Sequence, residues 1–228
     1  MPKLPTLHVL PRLIGLIGST LAVEAAPSTA EPRTILFFGD SLTAGHGLAD
    51  PSTAAYPAVI QGKIDDAGLP WRVVNAGLSG ETTSGGLRHV DWILRQPADV
   101  FVLALGANDG LRGISPKYAG DNLAEILGRV QARNPQAKLV LAGMQMPTGM
   151  GAEFARDFAS IYPRVAAEAG AVLIPHLLEG VGGKPSLNQH DRIHPTAEGH
   201  AIMAETVWAV LQPLLEETGE AKPKKRRD

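Results

Sequence analysis

The chain has 228 residues, 44% of them hydrophobic and 19% charged, a globular composition long enough for one ordinary domain with its own core. A formal net charge of −2 provides no overall basic field to recruit nucleic acid. The absence of cysteine excludes a thiol nucleophile, structural disulfides and Cys-ligated zinc.

At the start of the chain, Lys3 and Arg12 precede an apolar run from Leu13 to Val23. Val23-Glu24-Ala25 then offers small side chains at the two positions a signal peptidase reads, with Ala26 following. This layout predicts an export signal over residues 1–25, cleaved near Ala25, and a periplasmic or secreted mature protein. A retained amphipathic leader is the alternative. The run is too short to span a bilayer, and no later segment is long and apolar enough, so no stable membrane anchor is expected. Residues 26–33 form a polar, proline-containing lead-in.

The folded domain is expected over residues 34–215. Candidate strands are Thr34–Phe38, Trp71–Asn75, Val100–Leu105, Lys138–Ala142 and Ala171–Ile174. Most are continuous apolar runs, the pattern of parallel strands covered on both faces. Helical patterns fall near Ala54–Ala67, Ser84–Arg95, Pro116–Arg133 and Ala152–Ala169. A last helix from Pro195 to about Leu215 carries Met203, Val207, Val210, Leu211 and Leu214 on one face. Strands alternating with crossover helices predict an α/β fold with an open five-stranded parallel sheet between two helical layers. There is no internal repeat and no sign of a second domain. Residues 216–228, ending in Lys222-Pro-Lys-Lys-Arg-Arg-Asp228, read as a charged, disordered tail.

The first strand breaks at Gly39-Asp40-Ser41, which puts a serine at a carboxyl strand end, where open parallel sheets bind ligands. Alone, Ser41 reads equally well as a helix cap, and Asp40 as a turn-shaping hydrogen-bonding residue. Far downstream, Asp191 and His194 stand three apart, just ahead of Pro195. Serine, aspartate and histidine are the nucleophile, orienting carboxylate and general base of an acyl-transfer triad. A loop before Pro195 would set Asp191 on one imidazole nitrogen and leave the other for Ser41. The string His190-Asp-Arg-Ile-His194 resembles a zinc-protease helix only superficially. Asp191 stands where that motif needs Glu, and Pro195 favours a helix that begins after His194. His190 and His200 read as surface or structural residues.

Acyl transfer also needs donors for an oxyanion. Glycines in Val74-Asn-Ala-Gly-Leu-Ser-Gly80 allow close backbone approach after the second strand, and the Asn108 amide follows the third. An ordinary glycine turn and a turn-forming Asn are the plain alternatives. The groove is expected between Ser79–Ser84, Leu111–Ile114 and Met144–Gly151, with Leu111, Met146 and Pro147 as substrate contacts. Met146 reads equally as an acyl contact and a core filler, whereas Met144 reads as core.

Gly39-Asp-Ser-Leu42, Asn75-Ala-Gly-Leu-Ser-Gly80, Gly106-Ala-Asn-Asp109 and Asp191-Arg-Ile-His194 resemble, in order, the four blocks of the SGNH (GDSL) hydrolases. The resemblance spans about Ile35 to Leu215 and is nearest the bacterial periplasmic arylesterase, acyl-CoA thioesterase and lysophospholipase subgroup. Asn108-Asp-Gly-Leu-Arg-Gly113 and Ile161-Tyr-Pro163 are typical of that subgroup. It implies a flavodoxin-like three-layer α/β/α sandwich, with Ser41 as nucleophile, His194 as base and Asp191 orienting it. It assigns the oxyanion hole to the Ser41 and Gly80 backbone N–H groups and the Asn108 side chain. No metal and no organic cofactor is implied. The implied partner is a small acyl ester or thioester, lysophospholipid included; oligomeric state is not assigned.

Three positions depart from the family pattern. His46 replaces a usual aromatic residue, Ala107 replaces a common glycine, and Met144-Gln-Met-Pro-Thr-Gly-Met150 lacks the frequent Pro-Asn step. Three rival readings remain: a carbohydrate O-deacetylase on the same scaffold, a non-catalytic exported lipid- or carbohydrate-binding protein, and a phosphate-binding flavodoxin-like module. Asp40 speaks against the last, because a carboxylate after the first strand repels an anion.

Overall fold

A computed structural model describes residues 31–219, Pro97 excepted. The expected export signal, most of the lead-in and most of the charged tail, residues 220–228, lie outside the described residues. The sheet has five strands: β1 (Arg33–Gly39), β2 (Trp71–Gly77), β3 (Val100–Ala104), β4 (Lys138–Ala142) and β5 (Val172–Ile174). All pair in parallel, in the order β2-β1-β3-β4-β5. Eight α-helices connect and follow them among the described residues: α1 (Ser41–Ala44), α2 (Pro51–Ala54), α3 (Tyr56–Asp66), α4 (Thr83–Ile93), α5 (Ala107–Leu111), α6 (Pro116–Arg133), α7 (Ala152–Ala169) and α8 (Ala197–Gly219). Helices α4, α6 and α7 pack side by side on one face, while α3 and α8 pack together on the other. This is the flavodoxin-like α/β/α sandwich expected from the sequence.

Burial on both faces explains why the strands read as apolar runs. Successive side chains of a strand point to opposite faces. Phe37 therefore meets Tyr56 of α3, with ring centroids 5.5 Å apart, while Phe38 meets Phe101 at 6.1 Å on the α4 side. All six residues from Ile35 to Asp40 are buried. At the edge, β2 is only half-buried, and its free backbone is partly covered by a side chain. Gln61 accepts from the Val73 N–H at 2.6 Å and donates to the Trp71 carbonyl at 3.3 Å, which blunts an otherwise open edge.

The helix bounds differ from expectation where local chemistry intervenes. The single helix expected over 54–67 is two, because Ala55 is extended (ψ 145°) and Pro57 sits in the first turn of α3, where a missing N–H costs nothing. The last helix starts at Ala197, not Pro195. Pro195 pairs with Asn188 in an isolated bridge, and the Thr196 hydroxyl caps the helix by accepting from the Gly199 N–H at 3.3 Å. At its other end α8 continues past Leu215 to Gly219. No helix among the described residues is long and apolar enough to cross a membrane.

His200 proves to be buried. Its Nδ1 accepts from the Tyr56 N–H at 3.2 Å, so the ring proton sits on Nε2, and burial pushes the imidazole down to about 4. Stability from this group is present above the ordinary histidine value and is lost as pH falls toward about 4.

The carboxyl end of β2 lies against backbone. An added Cβ on Gly77, at the end of β2, would sit 2.7 Å from the Thr43 carbonyl carbon and 2.8 Å from Ala44 Cα. Helix α1 therefore rests directly on β2, and this contact sets where Ser41 lies. Gly77→Ala should destabilise the fold by about 1–3 kcal/mol, because α1 has to move. Gly128→Ala, in α6 with nothing within 4 Å, should stabilise by about 0.4–1 kcal/mol. Urea unfolding of both variants measures this; equal midpoints would mean that α1 is not seated on β2.

Candidate active site

Strand order reverses between β1 and β3, and there the loops at the two carboxyl ends diverge and open a crevice. Gly39 ends β1, and Asp40 caps the short helix α1 by accepting from the Leu42 N–H at 3.0 Å. Ser41 is thus the first helical residue, not the cap. On the neighbouring strand, Tyr162 of α7 donates its hydroxyl to the Leu105 carbonyl at 3.2 Å, against Gly106. With φ at +117°, Gly106 turns the chain into α5, which carries Asn108 and Asp109.

His194 reaches the crevice from the loop before α8. Its Nε2 lies 2.9 Å from Ser41 Oγ, and its Nδ1 lies 2.6 Å from Asp191 Oδ2. A carboxylate only accepts, so Nδ1 carries the ring proton and Nε2 is left as the acceptor for the serine hydroxyl. The other carboxylate oxygen, Asp191 Oδ1, accepts from the Ile193 N–H at 2.9 Å and the His194 N–H at 3.0 Å. The imidazole bond first, then these backbone donors, hold the Asp191 carboxyl well below the usual carboxylate range although its side chain is 42% exposed. To let one carboxylate serve consecutive N–H groups the loop bends sharply. Arg192 within it has φ +60°, the one non-glycine residue at positive φ among the described residues. That conformation costs about 1–2 kcal/mol, which the Asp191 bonds offset. Residues 190–194 are not helical, so His190 and His194 do not share a helix face as a zinc motif requires.

Gln189 ties this loop to the serine side. It donates to the His46 carbonyl at 2.7 Å and the Pro195 carbonyl at 3.0 Å, over Gly47, whose Cβ would collide with the Gln189 amide. His46 itself is exposed, and its ring lies 4.6 Å from the His194 ring, tilted by 50°. Its Nδ1 is 3.5 Å from Ser79 Oγ, at the limit of a hydrogen bond.

Ser41, Asn108 and His194 line a cleft of about 430 Å³. Leu111, Met146 and Pro147 all line it, and Met144, which the sequence assigned to the core, is both buried and part of the wall. Met146 packs its sulfur against Gly110, where a side chain would exclude it. Gly80 does not line the cleft. It sits on the adjoining turn with φ +81°, its carbonyl accepting from Arg112 Nη2 at 3.3 Å, one residue from the Glu81 carbonyl that Asn108 Nδ2 holds at 3.0 Å. Sequence reading missed the opposite wall, formed by His176, Leu178, Gly182, Gly183, Arg192 and Ile193. The one signal for it was the cluster Gly180-Val-Gly-Gly183. It also missed Asp109, a buried carboxylate that accepts from the Thr83 N–H at 2.8 Å and the Thr83 hydroxyl at 2.6 Å, fastening α4 to α5.

A serine whose hydroxyl faces a bare imidazole nitrogen, itself backed by a carboxylate, has serine-hydrolase geometry, here carried on a flavodoxin-like sheet. Residues 37–202 match the GDSL-like lipase/acylhydrolase family, and the chain belongs to it. It is 38% identical over 202 residues to esterase TesA of Pseudomonas aeruginosa, spanning 88% of this chain and 98% of the relative. To thioesterase 1/protease 1/lysophospholipase L1 of Escherichia coli K12 it is 36% identical over 187 residues, or 82% and 86% of the two chains. The crystal structure of TesA matches with a TM-score of 0.75 at 40% identity, covering 80% of this chain and 99% of that one.

Beneath the serine, Asp40 is buried, and its Oδ2 has no partner among the described residues. Burial pushes its carboxyl up from 3.8 to about 7. The folded chain therefore holds this proton more tightly than the unfolded chain does. Stability from the group is fully present below 3.8 and is lost as pH rises toward about 7. Asp40→Asn keeps an acceptor for Leu42 and removes the titration. The stability gained by the variant over wild type should grow between pH 4 and pH 7 and level off above, in urea unfolding across that range. A difference independent of pH would contradict the assignment.

Proposed function

We propose that the protein is a carboxylic ester hydrolase that cleaves acyl or aryl esters, or thioesters, through an acyl-enzyme on Ser41. The observation that carries this reading is the unbroken series Asp191–His194–Ser41, at 2.6 and 2.9 Å, opening onto an apolar cleft. His194 Nε2 takes the proton as Ser41 Oγ attacks the acyl carbon, and Asp191 stabilises the imidazolium that forms. The carbonyl oxygen becomes an oxyanion, for which the Ser41 N–H and the Asn108 amide at the cleft are the donors, with the Gly80 N–H on the adjoining turn as the third. The tetrahedral species collapses, the alcohol or thiol leaves with the proton from His194, and the acyl group stays on Ser41. Water then attacks the acyl-enzyme by the same sequence, releasing the carboxylic acid and restoring Ser41.

Leu111, Met146 and Pro147, faced by Leu178 and Ile193, offer an acyl chain an apolar wall, which favours this reading over a sugar O-deacetylase. The names of the relatives, an esterase and a thioesterase/lysophospholipase, support simple esters, thioesters and lysophospholipids as the substrates to try first. Export through the segment 1–25 belongs to the same proposal and rests on its charge and hydropathy. Mass spectrometry of the protein made by cells should find an N-terminus near Ala26 outside the inner membrane. An intact N-terminus held in the cytoplasm would reject export.

Initial rates on p-nitrophenyl esters of short and long acyl chains test the chemistry. Wild type should turn over, and Ser41→Ala should not. Asn108→Ala should lose roughly 10²–10³ in kcat with little change in KM, because the oxyanion exists only in the transition state. Turnover that survives in Ser41→Ala would sink the acyl-enzyme.

A further inference from the structure

Glu81 belongs to neither the triad nor the cleft wall, yet it touches the proposed oxyanion donor from behind. Its backbone carbonyl accepts from Asn108 Nδ2 at 3.0 Å. Its carboxylate turns along α4 and meets His89 Nδ1 at 2.7 Å. Glu81 is 7% exposed, whereas the His89 side chain is 52% exposed. The second carboxylate oxygen presses on Gly85, in space that a Cβ would occupy, so the glycine makes the seat. That seat lies over the first turn of α4, where the helix dipole favours a negative charge. Together with His89 and Trp92, Glu81 also lines a separate groove of about 480 Å³ between β2 and α4.

An Asn side-chain nitrogen carries two hydrogens. With one committed to the Glu81 carbonyl, the plane of the Asn108 amide is set and the other hydrogen has a defined direction. We propose that Glu81 is a positioning residue: its buried carboxylate, held by His89 and by the seat over Gly85, fixes the Glu81 carbonyl and thereby aims the Asn108 amide. The kinetic consequence rests on the esterase reading above; the geometric one does not. Helix α4 has separate fastenings, Thr83 to Asp109 and Asn122 Nδ2 to Thr83 Oγ1 at 3.0 Å. Removing the Glu81 side chain therefore loosens one peptide and leaves the helix in place.

In p-nitrophenyl ester hydrolysis, Glu81→Ala should lower kcat roughly ten-fold, with KM unchanged, a part of the loss expected for a missing donor. Glu81→Gln keeps an oxygen for His89 and should restore most of that rate. In an Asn108→Ala background, Glu81→Ala should cost almost nothing further, because its effect passes through Asn108. An equal loss in both backgrounds overturns the proposal. The side-chain ¹H–¹⁵N signals of Asn108, assigned by their absence in Asn108→Ala, give a readout that needs no turnover. They should shift in Glu81→Ala and return in Glu81→Gln; should Glu81→Ala not fold, His89→Ala releases the same carboxylate and should shift them too. Unmoved signals in every folded variant overturn the proposal. Wild type without turnover would reject the esterase reading alone.

Discussion

A parallel sheet buried on both faces leaves its carboxyl ends as the place where apolar strand has to become polar turn. At β1 that change happens within Gly39 and Asp40. The strand is sealed up to Asp40, and Ser41 follows at once in α1, whose backbone rests on Gly77 at the end of β2. Because backbone lies on backbone there, the serine has little freedom to shift. The β3 end is held in an analogous way, with Tyr162 on the Leu105 carbonyl and Gly106 beneath it. Ser41 and Asn108 are thus set at the ends of the central strands, and only the residue 189–195 loop has to be brought to them.

That loop arrives by hydrogen bonding, not by apolar packing. Gln189 bridges it to the His46 carbonyl, and Asp191 closes it on itself through backbone donors before it binds the imidazole. Asp191 and Asp40 show how placement decides the chemistry of the same side chain. Asp191 is partly exposed and meets three donors, so it stays an acceptor and fixes the histidine tautomer. Asp40 is buried with one donor, so it gives up its charge near neutral pH. Each lies within a few residues of a triad partner, and neither role follows from residue type.

Much of the fold was legible. Continuous apolar runs marked the buried strands, and the helices Pro116–Arg133 and Ala152–Ala169 were bounded correctly because Pro116 opens one and Gly170 ends the other. The short helices α1 and α5 leave no signal in the sequence, since four and five residues carry no periodicity. The last helix begins two residues later than the sequence pattern predicts, because Thr196 and not Pro195 supplies the start signal as its cap. In the site, Ser41 and Asn108 are legible from residue type and strand-end position, and Asp191 and His194 from their spacing ahead of Pro195. The far wall of the cleft was not, because its residues lie in irregular chain between β5 and α8, where side-chain direction depends on turns such as the one at Arg192.

By itself the sequence determined the five parallel strands, the crossover helices between them and the residue types of a serine hydrolase. Those follow from local patterns: burial on both faces, helix signals, and a serine at a strand end. Only the tertiary structure decided that residues 153 apart in sequence stand 2.9 Å apart in space, that Glu81 sits behind Asn108, and that the cleft runs between the Leu111–Met146 wall and residues 176–183. Such meetings depend on strand order, β2-β1-β3-β4-β5, and on backbone seats at single glycines. Both are properties of how distant segments pack, which no local pattern encodes.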